Sequence, residues 1–256
     1  MPSVGTRLYP GGHDSYWYQE WGNWLLYKPD FTSRLRKHLL DGGGKTRPSF
    51  QGAAIYYSPK TDPLLPVEDA LQISARNLDV FLDADIFLMI QTRSKAVERQ
   101  HDPAIFTRIL ELARRKKVGV SFSISTDRLD EQRRIESGGL APAERLRIMA
   151  RLKAAGVFVS AAVAPLMPAS PDFARKLVES CHHASIQVLH LTGSGAATPK
   201  PVLDRMHSET PHYRELDSKL ADEIEAVDGA AGFSWGINNK GFLGAFLVAR
   251  RFYEKS

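Results

Sequence analysis

Cysteine is all but missing from this chain: Cys181 stands alone in 256 residues. A single thiol excludes an internal disulfide framework and every all-cysteine metal or cluster site built within one chain, and it suits a reducing compartment. Long apolar runs are missing too, and none reaches the length of a membrane span. Residues 1–9 carry no apolar core of the kind a secretory leader has, so a cytoplasmic protein with no membrane partner is expected. No Gly/Ser/Pro-rich stretch splits the chain, which favours one large domain over two small ones. Charge of one sign is only mildly in excess, at a formal +5. That bias permits contact with phosphates without establishing it. The basic residues fall in short runs, at 114–117, 133–134 and 250–251, which read as solvated helix ends.

What is present is organised around residues 118–165. The stretch opens V-G-V-S-F-S-I-S-T-D-R, passes through a charged segment to A-P-A-E-R-L-R-I-M-A-R-L-K-A-A-G, and closes on V-F-V-S-A-A-V-A-P. Two β-forming runs flank a segment that sets Leu146, Met149 and Leu152 at helical spacing, so a β-α-β unit is expected. Pro142 suits the first turn of that helix and Gly156 its C-terminal cap. Both strands carry a small or hydroxylated face. Ser121, Ser123 and Ser125 alternate with Phe122 and Ile124, and Ser160, Ala162 and Ala164 alternate with Val159, Ala161 and Val163. Such a face leaves room beside the strand, as a ligand-holding barrel needs; ordinary packing against a helix is the other reading.

Similar units lie on either side. Residues 4–8 read as a short first strand, and 9–27 as a loop that holds Trp17, Trp21 and Trp24 among several tyrosines. Helices are expected over 29–40, 67–82, 103–116, 171–182 and 211–227, and strands over 52–58, 86–92 and 186–192. Six β-α repeats in succession imply a parallel sheet, and the small strand faces favour an α/β fold in the form of a partial (βα)6 barrel. The barrel domain is expected over 1–228, with 229–256 as an apolar extension packing on it.

In parallel barrels, ligands sit at the C-terminal ends of the strands. Those ends read Ser58 with Thr61 and Asp62; Gln91, Thr92 and Arg93; Ser125, Thr126 and Asp127; Ala164 and Pro165; and Thr192 to Gly195. Nearly all finish in hydroxyl, amide or charge, so their convergence makes a polar-rimmed pocket. Taken singly, Asp62, Ser94 and Asp127 are also natural helix caps. His13, His190 and Asp62 are the candidate acid–base groups. His182 and His183 are placed at a helix end, where adjacent side chains diverge, and no metal site is expected.

The series T-D-P-L-L-P-V-E (61–68), I-Q-T-R-S (90–94), S-F-S-I-S-T-D (121–127), R-L (145–146) with A-A-G (154–156), and V-A-P (163–165) resembles the spore photoproduct lyase-like branch of the radical SAM superfamily. The segment W-L-L-Y-K-P-D-F-T-S-R-L-R-K-H-L (24–39) is similar to the stretch that follows that family's cluster loop, so the resemblance spans 9–195. It implies the family's partial (βα)6 barrel and an S-adenosylmethionine pocket at the strand ends. By motif position, Ser58, Thr61 and Asp62 lie near the methionyl group, Ser123, Ser125 and Thr126 near the ribose, and Arg145 beside the carboxylate; Thr92 and Arg93 complete the implied set.

The cluster loop departs from the family. Its members place C-x-x-x-C-x-x-C after the first strand, whereas this chain reads G-G-H-D-S-Y-W-Y over 11–18. Aligned on His13 and Trp17, the three cysteine positions hold Gly11, Ser15 and Tyr18. Thiolates hold such clusters, so neither a [4Fe–4S] cluster nor reductive cleavage of S-adenosylmethionine is expected. The reading that follows is a non-radical member, a pseudoenzyme that binds S-adenosylmethionine or a related nucleotide and serves as a partner or regulatory protein. Two alternatives stay open. One is a repurposed non-radical enzyme working from the polar pocket; the other is a DNA- or RNA-binding protein that uses the basic charge and the aromatic loop.

Overall fold

Among the described residues six strands line up in chain order, and every neighbouring pair is parallel: β1 (Ala54–Tyr57), β2 (Phe87–Thr92), β3 (Val118–Ser123), β4 (Phe158–Val163), β5 (His183–Ile186) and β6 (Ser234–Ile237). The computed structural model describes residues 29–57, 62–65, 71–100, 104–136, 138–187, 210–227, 230 and 232–255. Helix α1 (Phe31–Leu39) precedes the sheet, and α2 (Ile73–Asp83) and α3 (Ile105–Arg114) follow the first two strands. Then come α4 (Leu129–Ile135) and α5 (Pro142–Ala154) after β3, α6 (Phe173–Ser180) after β4, α7 (Thr210–Glu225) after β5 and α8 (Asn238–Lys255) after β6.

Crossovers between parallel strands are right-handed, so a strand order that never reverses puts every crossover helix on one face. The core obeys this rule. Leu88, Ile90, Val120, Phe122, Val159, Val163 and Ile186 share one buried cluster with Leu39, Phe81, Ile109, Met149, Phe173 and Leu220 from the helices. Helix α5 has the punctuation expected of it: Pro142 opens it, and Gly156 closes it with φ 79. The N–H of Val157 reaches Leu152 O at 3.1 Å and that of Gly156 reaches Lys153 O at 3.1 Å, a closure that requires a left-handed residue between.

The opposite face of the sheet is made of other material. Alternation gives it Tyr56, Met89, Gln91, Gly119, Ser121, Ser123, Phe158, Ser160, Ala162, His183, Ser185 and Ser234. Helix α8 lies over β4, β5 and β6 on this side. Ala245, Ala249 and Tyr253 form a second core with Met89 and Phe158. The Tyr253 hydroxyl donates to Val118 O at 2.8 Å and accepts from the Phe158 N–H at 3.1 Å, so it enters the ladder between the starts of β3 and β4. Gly119 lets Met89 and Phe158 close over β3, because a Cβ there would lie 2.9 Å from Met89 Sδ and 3.0 Å from Phe158 Cδ1.

Several elements differ from expectation. The strand placed at 186–192 is His183–Ile186, and α6 ends at Ser180, so His183 opens a strand instead of ending a helix. Strand β6 was not expected at all; its alternation lasts only four residues and contains Gly236. The expected strand at 4–8 and the aromatic loop at 9–27 lie outside the described residues. Five of the described strands thus answer to anticipated ones, and β6 is the addition. The charged segment after Asp127 contains α4, and the expected helix start at 67 lies outside the described residues. Among the described residues no helix is long and apolar enough to cross a membrane.

Candidate functional site

The loops that leave the C-terminal ends of the strands are laced together by polar side chains. Asp62 accepts hydrogen bonds from the Thr92 hydroxyl at 2.8 Å, the Arg93 N–H at 2.8 Å and the Leu64 N–H at 2.9 Å. Both carboxylate oxygens are occupied, and Asp62 fastens the loop after β1 to the end of β2. Ser94 then caps the short turn Lys95–Glu98 by accepting the Ala96 N–H at 3.1 Å.

Arg93 and Arg145 meet on one carboxylate. Arg93 Nη1 donates to Glu136 Oε1 at 3.0 Å, and Arg145 Nη2 donates to Glu136 Oε2 at 2.7 Å. Arg145 also donates from Nε to Leu140 O at 2.8 Å and from Nη1 to Ser123 O at 3.0 Å. Burial opposes the charge on Glu136, but attraction first to Arg145 and then to Arg93 outweighs it and holds the carboxyl below its ordinary range. The two arginines are not equivalent. Arg145 has a side chain only 3% exposed and fully engaged, whereas that of Arg93 is 54% exposed and open to a further anion. Gly139 admits this arrangement, since a Cβ on it would collide with the Glu136 carboxylate and sit 2.7 Å from Arg145 Nη2.

A third tie joins the loops after β3 and β4. The Thr126 hydroxyl donates to Pro168 O at 2.7 Å, and the Met167 N–H donates to Ser125 O at 2.9 Å. Asp127 accepts from the Ser170 N–H at 2.8 Å and pairs with Lys176. Burial works against its charge, yet hydrogen bonds from Lys176 and Ser170 hold the carboxyl below the usual range.

Below the rim, the sheet carries a row of polar groups. Gln91, Ser121, Ser160, His183 and Ser234 are register partners across five strands. The Tyr56 hydroxyl donates to Gln91 Oε1, and Gln91 Nε2 donates to the Ser123 hydroxyl at 3.2 Å. Burial pushes the Tyr56 phenol up to about 12, against the pull of a hydrogen bond to Ser121, so it stays protonated at neutral pH. His183 Nδ1 and the Ser234 hydroxyl are 3.0 Å apart. Among the described residues, the buried Ser160 hydroxyl has no hydrogen-bond partner.

Of the residues singled out from sequence, Asp62, Thr92, Arg93, Ser123 and Arg145 therefore meet around the ends of β2 and β3. Ser125 and Thr126 sit one loop further on, bonded to the loop after β4. Ser58, Thr61, His13 and His190 lie outside the described residues. Glu136, Ser170 and Lys176 were not anticipated, although Glu136 stands just before a Gly-Gly pair that announces a close approach. Chemically, the rim offers the exposed guanidinium of Arg93, and the row beneath it offers hydroxyl, amide and imidazole groups.

No family model matches the chain, and no solved structure matches it. It is similar to an uncharacterized protein of Mycobacterium bovis and to uncharacterized proteins of two Mycobacterium tuberculosis strains. Each is 26% identical over 201 residues, covering 75% of this chain and 56% of the relative. The chain thus spans about half the length of the curated relatives it matches.

Proposed function

We propose that this chain is a radical-SAM-type scaffold, an open (βα)6 barrel, that works without an iron–sulfur cluster. In this reading it binds S-adenosylmethionine or a related nucleotide at the strand ends and acts as a cytoplasmic partner or regulatory protein. The observation that carries the reading is the unreversed order of six parallel strands with Asp62, Thr92, Arg93, Ser123 and Arg145 gathered at one end. A sheet wound in one direction curls toward a barrel, and barrels bind ligands at that end. The order of the motifs along the chain supplies the identity of the nucleotide.

A cluster does not fit the residues present. Clusters of this class take several thiolates, and the chain has one cysteine. Its thiol donates to Leu177 O at 3.2 Å and to His183 O at 3.3 Å, and burial pushes it up to about 12. No step of the proposed function runs through iron. For the nucleotide, Arg93 is the exposed cation that would take a carboxylate or phosphate, and the Ser123 and Ser125 positions would serve the ribose. Arg145 is a positioning residue that holds Glu136, which in turn holds Arg93.

Calorimetric titration with S-adenosylmethionine and S-adenosylhomocysteine, before and after anaerobic treatment with iron and sulfide, tests this. Both nucleotides are expected to bind without iron uptake, and Arg93→Ala is expected to weaken binding roughly tenfold, the loss of one charge-assisted hydrogen bond. Absence of binding removes the nucleotide reading. Stoichiometric cluster uptake removes the cluster-free one.

A further inference from the structure

The starts of β4 and β5 are joined by a histidine that pairs through its ring as well as its backbone. The His182 N–H donates to Val159 O at 2.8 Å, and the Val159 N–H donates to His182 Nδ1 at 3.1 Å. A backbone N–H only donates, so Nδ1 presents its lone pair and the proton of the neutral ring sits on Nε2. An imidazolium carries a proton on both nitrogens and cannot take the Val159 N–H. The bond therefore belongs to one protonation state of His182.

The same ring seats the end of α8. It stacks on Phe158, with centroids 5.5 Å apart and planes at 16°, and its centroid lies 4.5 Å from that of Phe252. Beside it the Tyr253 hydroxyl is bonded to the Phe158 N–H and to Val118 O. Earlier in the helix, Phe246 packs on Tyr56 and Phe87. That anchor does not involve His182.

The surroundings oppose a charge on the ring. Lys153 of α5 brings its ammonium to Val178 O at 2.9 Å, Glu179 O at 3.1 Å and Cys181 O at 2.8 Å, capping the end of α6 next to His182. The other ionisable groups nearby are engaged elsewhere. Glu179 of α6 pairs with Arg175, the Cys181 thiol donates to Leu177 O and His183 O, and His183 Nδ1 lies 3.0 Å from the Ser234 hydroxyl of β6. On α8, Arg250 pairs with Glu254, and Arg251 is exposed. Burial first, and then the Lys153 charge, push the imidazole from its ordinary 6.5 down to about 4; the pull of the Val159 backbone on a ring proton is smaller than either.

We propose that His182 is an acid-sensitive latch: its neutral ring joins the starts of β4 and β5 and seats Phe252, and its protonation frees the Val159 N–H and the last turn of α8 while Phe246 keeps the rest of the helix on the sheet. The sign follows from linkage. The unfolded chain takes up the proton first, so the contribution of His182 to stability is full above 6.5 and is lost as pH falls from there toward the folded value of about 4. The inference does not depend on nucleotide binding at the rim.

An NMR titration of the full chain reads the latch directly. His182 is expected to be the Nε2–H tautomer at neutral pH and to titrate at about 4. The Val159 amide is expected to lose its exchange protection through the same midpoint, while the Leu88 amide, bonded to Lys117 O at 2.8 Å, keeps its own. In His182→Asn the side-chain oxygen accepts the Val159 N–H without titrating. Between neutral pH and about pH 5 the folding constant of wild type is expected to fall roughly tenfold more than that of the variant. Lys153→Gln keeps a donor for the α6 carbonyls and removes the charge, so its His182 midpoint is expected to move up toward 6.5. A wild-type His182 that titrates at 6.5 or above overturns the proposal, as does a Val159 amide whose protection survives the midpoint. Equal pH slopes in wild type and His182→Asn overturn it too. Should either variant fail to fold, the wild-type titration decides.

Discussion

The two faces of this sheet are written into the same short strings and obey different rules. In V-G-V-S-F-S and F-V-S-A-A-V, one set of alternate residues meets the crossover helices and the other forms the opposite face, which α8 covers over β4. The outer set, Val120, Phe122, Val159 and Val163, is wholly buried and specified by volume. The inner set, Gly119, Ser121, Ser123 and Ser160, is specified by close approach and by hydrogen bonds. The outer face holds the protein together, and the inner face is where it has kept polar groups that stability alone does not ask for.

Mutations at adjacent positions should separate the two. Phe122→Ala removes a fully buried ring from the outer core and is expected to cost about 3–5 kcal/mol. Ser121→Ala, one residue away on the other face, is expected to cost under about 1 kcal/mol. Urea denaturation of the pair checks this, and equal losses would break the distinction between the faces.

The rim comes next in size. Glu136→Gln leaves the buried Arg145 guanidinium without its carboxylate. Breaking a buried pair costs about 3–5 kcal/mol, and the partial exposure of Glu136 brings the expectation down to about 2 kcal/mol. The pH dependence has a definite sign. The Glu136 carboxyl is held below its ordinary value of 4.5, so its contribution is complete above that value and is lost as pH falls through the lower folded value. The gap between wild type and Glu136→Gln should therefore be full at neutral pH and close on acidification below about 4.5, the unfolded carboxyl value. A gap that is constant with pH would mean that the amide and the carboxylate do the same work.

Gly119→Ala sharpens the comparison from inside. Its Cβ would meet Met89 and Phe158 at 2.9–3.0 Å, and overpacking of this kind is expected to cost about 1–3 kcal/mol. The effect should shrink in the double variant with Met89→Ala, because the thioether is then no longer in the way. Additive losses would show that backbone freedom, not contact, is what the glycine provides.

Legibility in the sequence followed the same division. The faces of β3 and β4 were readable because alternation runs through six residues in each, and the limits of α5 were readable because Pro142 and Gly156 act locally. Strand β5 was placed too late because A-S-I-Q-V-L-H-L-T (184–192) is apolar without marking its own start. The meeting of Arg93 with Glu136 spans 43 residues, and no local pattern announces it. The motif order pointed to Arg145 as a carboxylate partner, and Arg145 does hold a carboxylate, but it is the chain's own Glu136. Nor could composition say which residues of the apolar segment 243–252 would turn inward; Ala245, Ala249, Phe246 and Phe252 pack on the sheet, and Leu243 and Leu247 do not.

The smallest expected effect bears most directly on what the inner face is for. Ser160→Ala deletes a hydroxyl that is fully buried and has no hydrogen-bond partner among the described residues. If the row existed for stability, each member would be bonded and each deletion would cost something, as buried hydrogen-bonded groups do. An unpaired group reverses the sign, because its removal relieves a desolvation penalty, and the variant is expected to be unchanged or up to about 1 kcal/mol more stable. Differential scanning calorimetry of wild type and variant, with Ser121→Ala as the bonded control, reads this as a small rise in Tm against a small fall. A clear loss at Ser160 would mean that the hydroxyl is satisfied in solution, and the inner face would then be an ordinary polar core instead of a surface held ready for a ligand.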